Sequence, residues 1–343
     1  MAPRSSFATV CTIALISWAW VQPVAGQHSP SHQIWFSPGP GTPDYIRLFE
    51  HPEEWSLARE VMSVFKFYQQ HTQTPADPIV GPNTYDALVR AQAFRRLTQW
   101  GKRIAIEVGS VKEFYCTRDA SGMRASIAAS VAAVQAVERA GGFVSYLAMD
   151  EPFVAGRARV CDGPALEPTA DRVATYVGGV RAVRPKVQIG LIEAYPFSSA
   201  DAIEAIVGLL VARGAKPAFL HMDVDWHFSG ADAFRRDLKR LQTFAAAQQI
   251  PFGIILTGYN GEADPLYAQD VGEITELTAE TFGTWSAMPD HIIVQSWAES
   301  RTGLRITPSN LPETRQYAHT QVLFGVLRRL LAGGTSIGTA VPR

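Results

Sequence analysis

Acidic residues in this chain gather at a few sharply bounded places. Asp150-Glu151-Pro152 follows directly on the apolar run ending Ala148-Met149, and Ile192-Glu193-Ala194-Tyr195 has the same form. So does His221-Met222-Asp223-Val224-Asp225-Trp226. Carboxylates held close together and partly out of water repel one another, which raises at least one pKa and keeps a general acid protonated near neutral pH. Glu151 is the first candidate for such an acid, with Asp150 beside it. Asp223, Asp225 and Glu193 are candidates for a second catalytic carboxylate, while Glu262 lies several residues past its apolar run. Trp35, Tyr68, Tyr195, Trp226, Tyr259 and Trp297 fall in or near similar places. Aromatic faces beside carboxylates suit a sugar, which offers apolar C–H faces and a ring of hydroxyls. Each carboxylate also has a plainer reading, as a helix N-terminal residue or a member of a structural ion-pair network.

The elements that must carry these groups repeat regularly. Short β-branched or aromatic runs occur at Gln33–Pro38, Val64–Gln69, Arg103–Gly109, Phe143–Asp150, Val187–Glu193, Ala218–Asp225, Phe252–Thr257 and His291–Trp297. Amphipathic stretches fall between them, among them Ser126–Ala140, Thr169–Val183, Asp201–Arg213 and Asp232–Gln248, and a last one near Glu313–Leu331. Within Asp232–Gln248, Phe234, Leu238, Leu241 and Phe244 share one helical face. Gly141-Gly142 and Gly214 are placed to close helices before the next strand. Eight strand-then-helix repeats are the arithmetic of a single α/β domain, a (β/α)₈ TIM barrel over residues 27–343. An open doubly wound sheet is the competing fold, but no GxGxxG follows the first strand.

In a (β/α)₈ barrel the chemistry sits at the carboxyl ends of the strands, which is where Asp150-Glu151 falls. Strand alternation then selects the inward face. Leu220, Met222 and Val224 form an apolar set suited to the helices, so Phe219, His221, Asp223 and Asp225 should face the barrel. Lys66 and Tyr68 share a face, Glu107 alternates with Ala105, and Lys66 and Glu107 are expected to pair inside. His221 lies deeper and reads as a core histidine.

The N-terminus has the pattern of a secretory signal peptide over residues 1–26: Arg4, an apolar run from Phe7 to Val21, then Val24-Ala25-Gly26. An uncleaved anchor is the alternative. A secreted or periplasmic location follows, with no membrane association after cleavage. With 31 Lys and Arg against 32 Asp and Glu, and no basic block, no nucleic-acid partner is suggested. Cys116 and Cys161 survive processing and suggest a disulfide in an oxidising compartment. Closing that loop is worth roughly 4 kcal/mol in the chain-entropy model; two buried free thiols are the alternative. No CxxC or HExxH spacing implies a metal, and no cofactor is implied.

At Met149-Asp150-Glu151-Pro152 the chain resembles the TIM-barrel glycoside hydrolase superfamily, whose members commonly end strand four with Asn-Glu-Pro. The resemblance implies Glu151 as acid/base, with Asp150 in the place of the Asn, and Trp297 as a platform under the sugar. The family's nucleophilic Glu ends strand seven; here that strand ends Leu256-Thr257-Gly258-Tyr259-Asn260. An adjacent Asp-Glu after strand four also looks like the hexosaminidase-type barrels, where the substrate's acetamido group is the nucleophile. Inversion is the third option, with Asp223, Asp225 or Glu193 activating water. Carboxyl separations of about 5–5.5 Å accompany retention and roughly 6.5–9.5 Å inversion.

The expected function is therefore an exported glycoside hydrolase acting on a polysaccharide or glycan. A barrel that binds carbohydrate without cleaving it is the alternative, motivated by the absent strand-seven Glu. A metal-dependent hydrolase built on His221, Asp223 and Asp225 is a third class.

Overall fold

A computed structural model describes residues 32–112, 120–155, 166–300, 303–305 and 308–332 of the 343-residue chain. Residues 1–26, expected to be a signal peptide, and Cys116 and Cys161, expected to form a disulfide, lie outside the described residues. Among the described residues, no helix is long and apolar enough to cross a membrane.

Eight parallel strands close into a barrel in sequence order. They are β1 (Gln33–Ser37), β2 (Val64–Tyr68), β3 (Arg103–Val108), β4 (Val144–Asp150), β5 (Gln188–Tyr195), β6 (Leu220–Val224), β7 (Phe252–Leu256) and β8 (His291–Gln295). Closure is made by β1 against β8, with Trp35 opposite Ile293 and Ser37 opposite Gln295. Beyond β8, the short strands β9 (Ala298–Ser300) and β10 (Gly303–Arg305) form an antiparallel pair at the carboxyl end. The fold is the (β/α)₈ barrel that the repeat arithmetic implies.

The period of two along each strand sorts side chains into two cores. Leu220, Met222 and Val224 join the outer core between barrel and helices, while Phe219 joins the inner one. Ile104, Ile106 and Val108 likewise face outward and Ala105 inward. The helix Ala231–Ala247 buries Phe234, Leu238, Leu241 and Ala245, with Phe244 packed at the margin of the same core. The last helix starts later than its periodicity suggests, at His319 instead of near Glu313. Glu313 is occupied elsewhere. Its carboxylate accepts from the amides of Leu57 and Ala58 (3.3 and 3.0 Å) and so caps the helix Ser56–Val61.

The lower half of the barrel is filled. Trp35 is fully buried against Tyr146, Phe219, His221 and His291, with ring centroids 4.9 Å apart for Trp35 and His221. His221 Nε2 and His291 Nδ1 are 2.9 Å apart, so one ring donates and the other accepts. Burial keeps both imidazoles neutral, pushing His291 down to about 3. Gly253 makes room for this pair, because a Cβ there would lie 2.6 Å from His221 Cδ2. Trp35 is therefore a packing residue of the barrel floor, and it does not serve the mouth as the sequence suggested.

Candidate active site

Above that floor the barrel opens into a cavity of about 660 Å³ at the carboxyl ends of the strands. Its walls include Glu107, Asp150, Glu151, Asp223 and Asp225, together with Lys112, Gln295 and the aromatic rings of Tyr68, Tyr259 and Trp297.

Lys66 and Glu107 pair inside the barrel as their alternation predicts, and Lys66 Nζ also donates to Gln295 Oε1 at 2.6 Å. Lys66 is completely buried, so Glu107 and Gln295 satisfy an ammonium that water cannot reach. The Tyr68 ring lies 5.5 Å from the same ammonium and 5.5 Å from the Trp297 ring, which gives one wall an aromatic facing.

Asp150 closes β4 and points inward on the same face as Tyr146 and Ala148. Continued alternation would send Glu151 outward, with Met149. Instead the backbone turns left-handed at Glu151 (φ 44°), its amide bonds to Ile192 O at 3.1 Å, and the carboxyl reaches the cavity. That conformation costs a Glu on the order of 1 kcal/mol. Lys112 bridges the pair, 2.6 Å from Asp150 Oδ2 and 3.5 Å from Glu151 Oε2. Burial opposes the Lys112 charge, but Asp150 and Glu151 outweigh it and raise its pKa. Glu151 is itself raised, first by burial and then by the charge of Asp150, with Lys112 opposing.

Asp223 is the more strongly perturbed carboxyl. Burial, and after it the charge of Glu151, pushes its pKa up to about 8 against the pull of Lys66. Its Oδ1 has no hydrogen-bond partner among the described residues. Asp225 lies nearer the rim, 3.3 Å from His227 Nδ1; burial raises its pKa and His227 opposes the rise. Burial raises the Tyr259 hydroxyl too, with Asp223 the foremost of its charged neighbours.

Three other residues that the sequence singled out are placed elsewhere. Glu193 shares its strand face with Leu191 and Tyr195, which point to the outer core, whereas Ile192 faces inward. Fully buried, it accepts from the Phe153 amide (3.0 Å) and from Ser198 Oγ (3.3 Å), and it does not line the cavity. It anchors the turn that carries Glu151. Tyr195 follows the same parity: its hydroxyl donates to Asp237 Oδ2 at 2.8 Å, so only part of the residue borders the cavity. Trp226 stacks on His227 with centroids 4.2 Å apart, packs against the outer core, and is not among the cavity's walls.

Neither Lys112 nor Phe197, both in loops beyond their strands, stands out in the sequence, where a lone lysine and a lone phenylalanine carry no periodic signal. The metal-site reading of His221, Asp223 and Asp225 is not brought together, because His221 is engaged with His291 on the barrel floor. Among the described residues the set with metal-ligand spacing is His227, Asp270 and Glu273, whose ligand atoms lie within 4.8 Å of one another. Asp270 already accepts the amides of Tyr259 and Asn260 there, at 3.1 and 2.9 Å.

No family model matches the sequence, and no curated protein does. Solved structures do match. A psychrophilic glycoside hydrolase family 10 endo-β-1,4-xylanase is 13% identical with a TM-score of 0.52, over 86% of this chain and 96% of that one. Native xylanase 10B from Thermotoga maritima is 9% identical with a TM-score of 0.51, over 88% and 95%. Active domain 2 of chitinase from Pyrococcus furiosus is 12% identical with a TM-score of 0.50, over 87% and 96%. At these identities the likeness is one of fold. The chain shares the (β/α)₈ architecture of the glycoside hydrolase superfamily that its strand-four motif resembles.

Proposed function

We propose that this protein is an exported glycoside hydrolase, with Glu151 as proton donor and Asp223 as the second carboxylate. Export rests on the N-terminal sequence pattern. The observation that carries the catalytic reading is that Glu151 and Asp223 share one cavity, where burial raises both and Glu151 raises Asp223 further. Because Glu151 raises Asp223, the two carboxyls give up their protons in separate steps, and between those steps one is protonated while the other is ionised. One protonated carboxyl facing one carboxylate is the complement that glycoside hydrolysis requires.

In this reading Glu151 protonates the glycosidic oxygen as the bond to the anomeric carbon breaks. Asp223, in the form of the pair in which it is the ionised member, takes a proton from the water that attacks the same carbon from the opposite side. The leaving alcohol departs with the Glu151 proton, and the water oxygen stays on the sugar with inverted configuration. The segment after β7, which brings Tyr259 to the cavity, carries no Glu at Thr257-Gly258-Tyr259-Asn260, where the resemblance would put the nucleophile of a double displacement, and this favours the single displacement. Tyr68 and Trp297 supply the face against which the sugar ring packs.

A second allocation has its own support. Lys112 favours an ionised Glu151, burial pushes the Asp223 carboxyl up to about 8, and Asp223 Oδ1 lacks a partner among the described residues, which suits Asp223 as donor and Glu151 as base. Dinitrophenyl glycosides separate the two, because their leaving group needs no proton. Under the first allocation Glu151→Gln keeps turnover on the activated glycoside and loses it on natural glycans, while Asp223→Asn loses both. The opposite pattern assigns the roles the other way. Unchanged turnover in both variants, or glycan binding without product release by the wild type, overturns the hydrolase reading and leaves a carbohydrate-binding barrel.

A further inference from the structure

Phe197 and Phe228 are left in water, 59% and 72% exposed, although most phenylalanines of the core are completely buried. Their rings touch one another, with centroids 5.6 Å apart and planes inclined at 56°. They come from the segments that follow β5 and β6, and Phe197 is also part of the cavity wall. Val154 and Ala194 are further apolar residues of the cavity wall. Val154 sits on the short helix Pro152–Ala155, immediately after Glu151. The root of Phe197 is fixed, because the neighbouring Ser198 donates its amide to Ala194 O (2.8 Å) and its hydroxyl to the buried Glu193.

The two aromatic walls differ in chemistry. Tyr68 and Trp297, from β2 and the end of β8, carry a hydroxyl and an indole N–H that suit a hydroxyl-bearing ring. The phenylalanine pair, across the barrel in strand order, has no donor or acceptor at all. Phe197 borders the cavity and Phe228 extends its apolar surface outward, so an apolar group seated there would recover the gain from burial that the pair forfeits in water.

We propose that Phe197 and Phe228 bind an apolar leaving group, so that the protein takes glycosides of an aliphatic or aromatic alcohol in preference to those of another sugar. This rests on the reading of the cavity as a glycosidase site, with the sugar ring on the Tyr68–Trp297 side and Glu151 between the two walls.

Calorimetry on the full chain tests it, using methyl and hexyl glucosides and xylosides of both anomers and the matching disaccharides, with Glu151→Gln as the inert host. The hexyl glycoside of the accepted sugar is expected to bind about tenfold tighter than the methyl one, from burial of its chain. The advantage should fall several-fold in Phe197→Ala and Phe228→Ala and vanish in the double variant. Both positions are exposed, so the variants should fold as the wild type does. Equal binding of hexyl and methyl glycosides, a hexyl preference that survives in the double variant, or a disaccharide preferred over both overturns the proposal. If the hexyl preference follows the phenylalanines but no wild-type turnover is seen, the apolar site stands and the hydrolase reading falls. Turnover that depends on Glu151 but ignores the phenylalanines leaves the hydrolase reading standing and overturns the apolar site.

Discussion

The ammonium of Lys112 donates to Asp150 at 2.6 Å, which ties the loop after β3 to the end of β4. The same ammonium lies 3.5 Å from Glu151, so it adjusts the proton affinity of the proposed acid from a position sequence did not reveal.

Removing that charge should shift the pH profile. Lys112 favours the ionised form of Glu151, so Lys112→Met raises the Glu151 pKa still further. The protonated acid then persists to higher pH, and the alkaline limb of the kcat/KM profile should move up by roughly one pH unit. An alkaline limb that stays in place, or moves down, overturns the assignment of Lys112 as a positioning and tuning residue for Glu151.

Asp223 should leave its mark on stability. Its folded pKa is raised from 3.8 to about 8, so the folded chain holds this proton more tightly than the unfolded one. The resulting stabilisation is complete below the unfolded pKa and is lost as pH rises through the folded value, between about pH 4 and 8. Asp223→Asn removes that loss. The variant should match the wild type near pH 4 and exceed it by about 2 kcal/mol at pH 8, once relaxation is allowed for. Urea denaturation at the two pH values measures the difference, and a variant equally or less stable at pH 8 contradicts it.

Glu193 should behave as an anchor and not as a catalyst. Glu193→Ala leaves the Phe153 amide and Ser198 hydroxyl short of an acceptor in a buried place, at a cost of about 3 kcal/mol. Glu193→Gln keeps one acceptor oxygen and should lose about half as much. A mere anchor leaves the shape of the pH–rate profile unchanged in Glu193→Gln while kcat falls modestly with the looser turn. Loss of one limb of that profile would instead place Glu193 in the chemistry.

Much of this molecule is legible along the chain, because a period of two and a repeat of strand and helix are local properties. The inward set Phe219, His221 and Asp223 and the pairing of Lys66 with Glu107 both follow from alternation. The same rule, applied along β5, sets Glu193 and Tyr195 on the outer face beside Leu191. Depth is harder to read. Trp35 and Trp297 are both inward aromatics, yet one lies in mid-strand opposite Ile293 and the other beyond the last residue of β8. Only the stagger between strands makes the first a floor and the second a wall. Glu151 escapes alternation altogether, since its left-handed backbone reverses the direction that a regular strand would give it. Lys112 and Phe197 belong to loops, where position depends on contacts remote in sequence.

The packed layer of Trp35, Tyr146, Phe219, His221 and His291 makes this barrel a cup and not a conduit. Among the described residues the floor is closed, so in the proposed reaction the water, the glycoside and both departing fragments would share the rim at the carboxyl ends of the strands. The sequence in which the fragments leave becomes a property of the loops that border that rim, independent of the strands beneath. If the cavity is the proposed site, altering a rim side chain such as Phe197 would change the schedule of departure as well as the choice of guest.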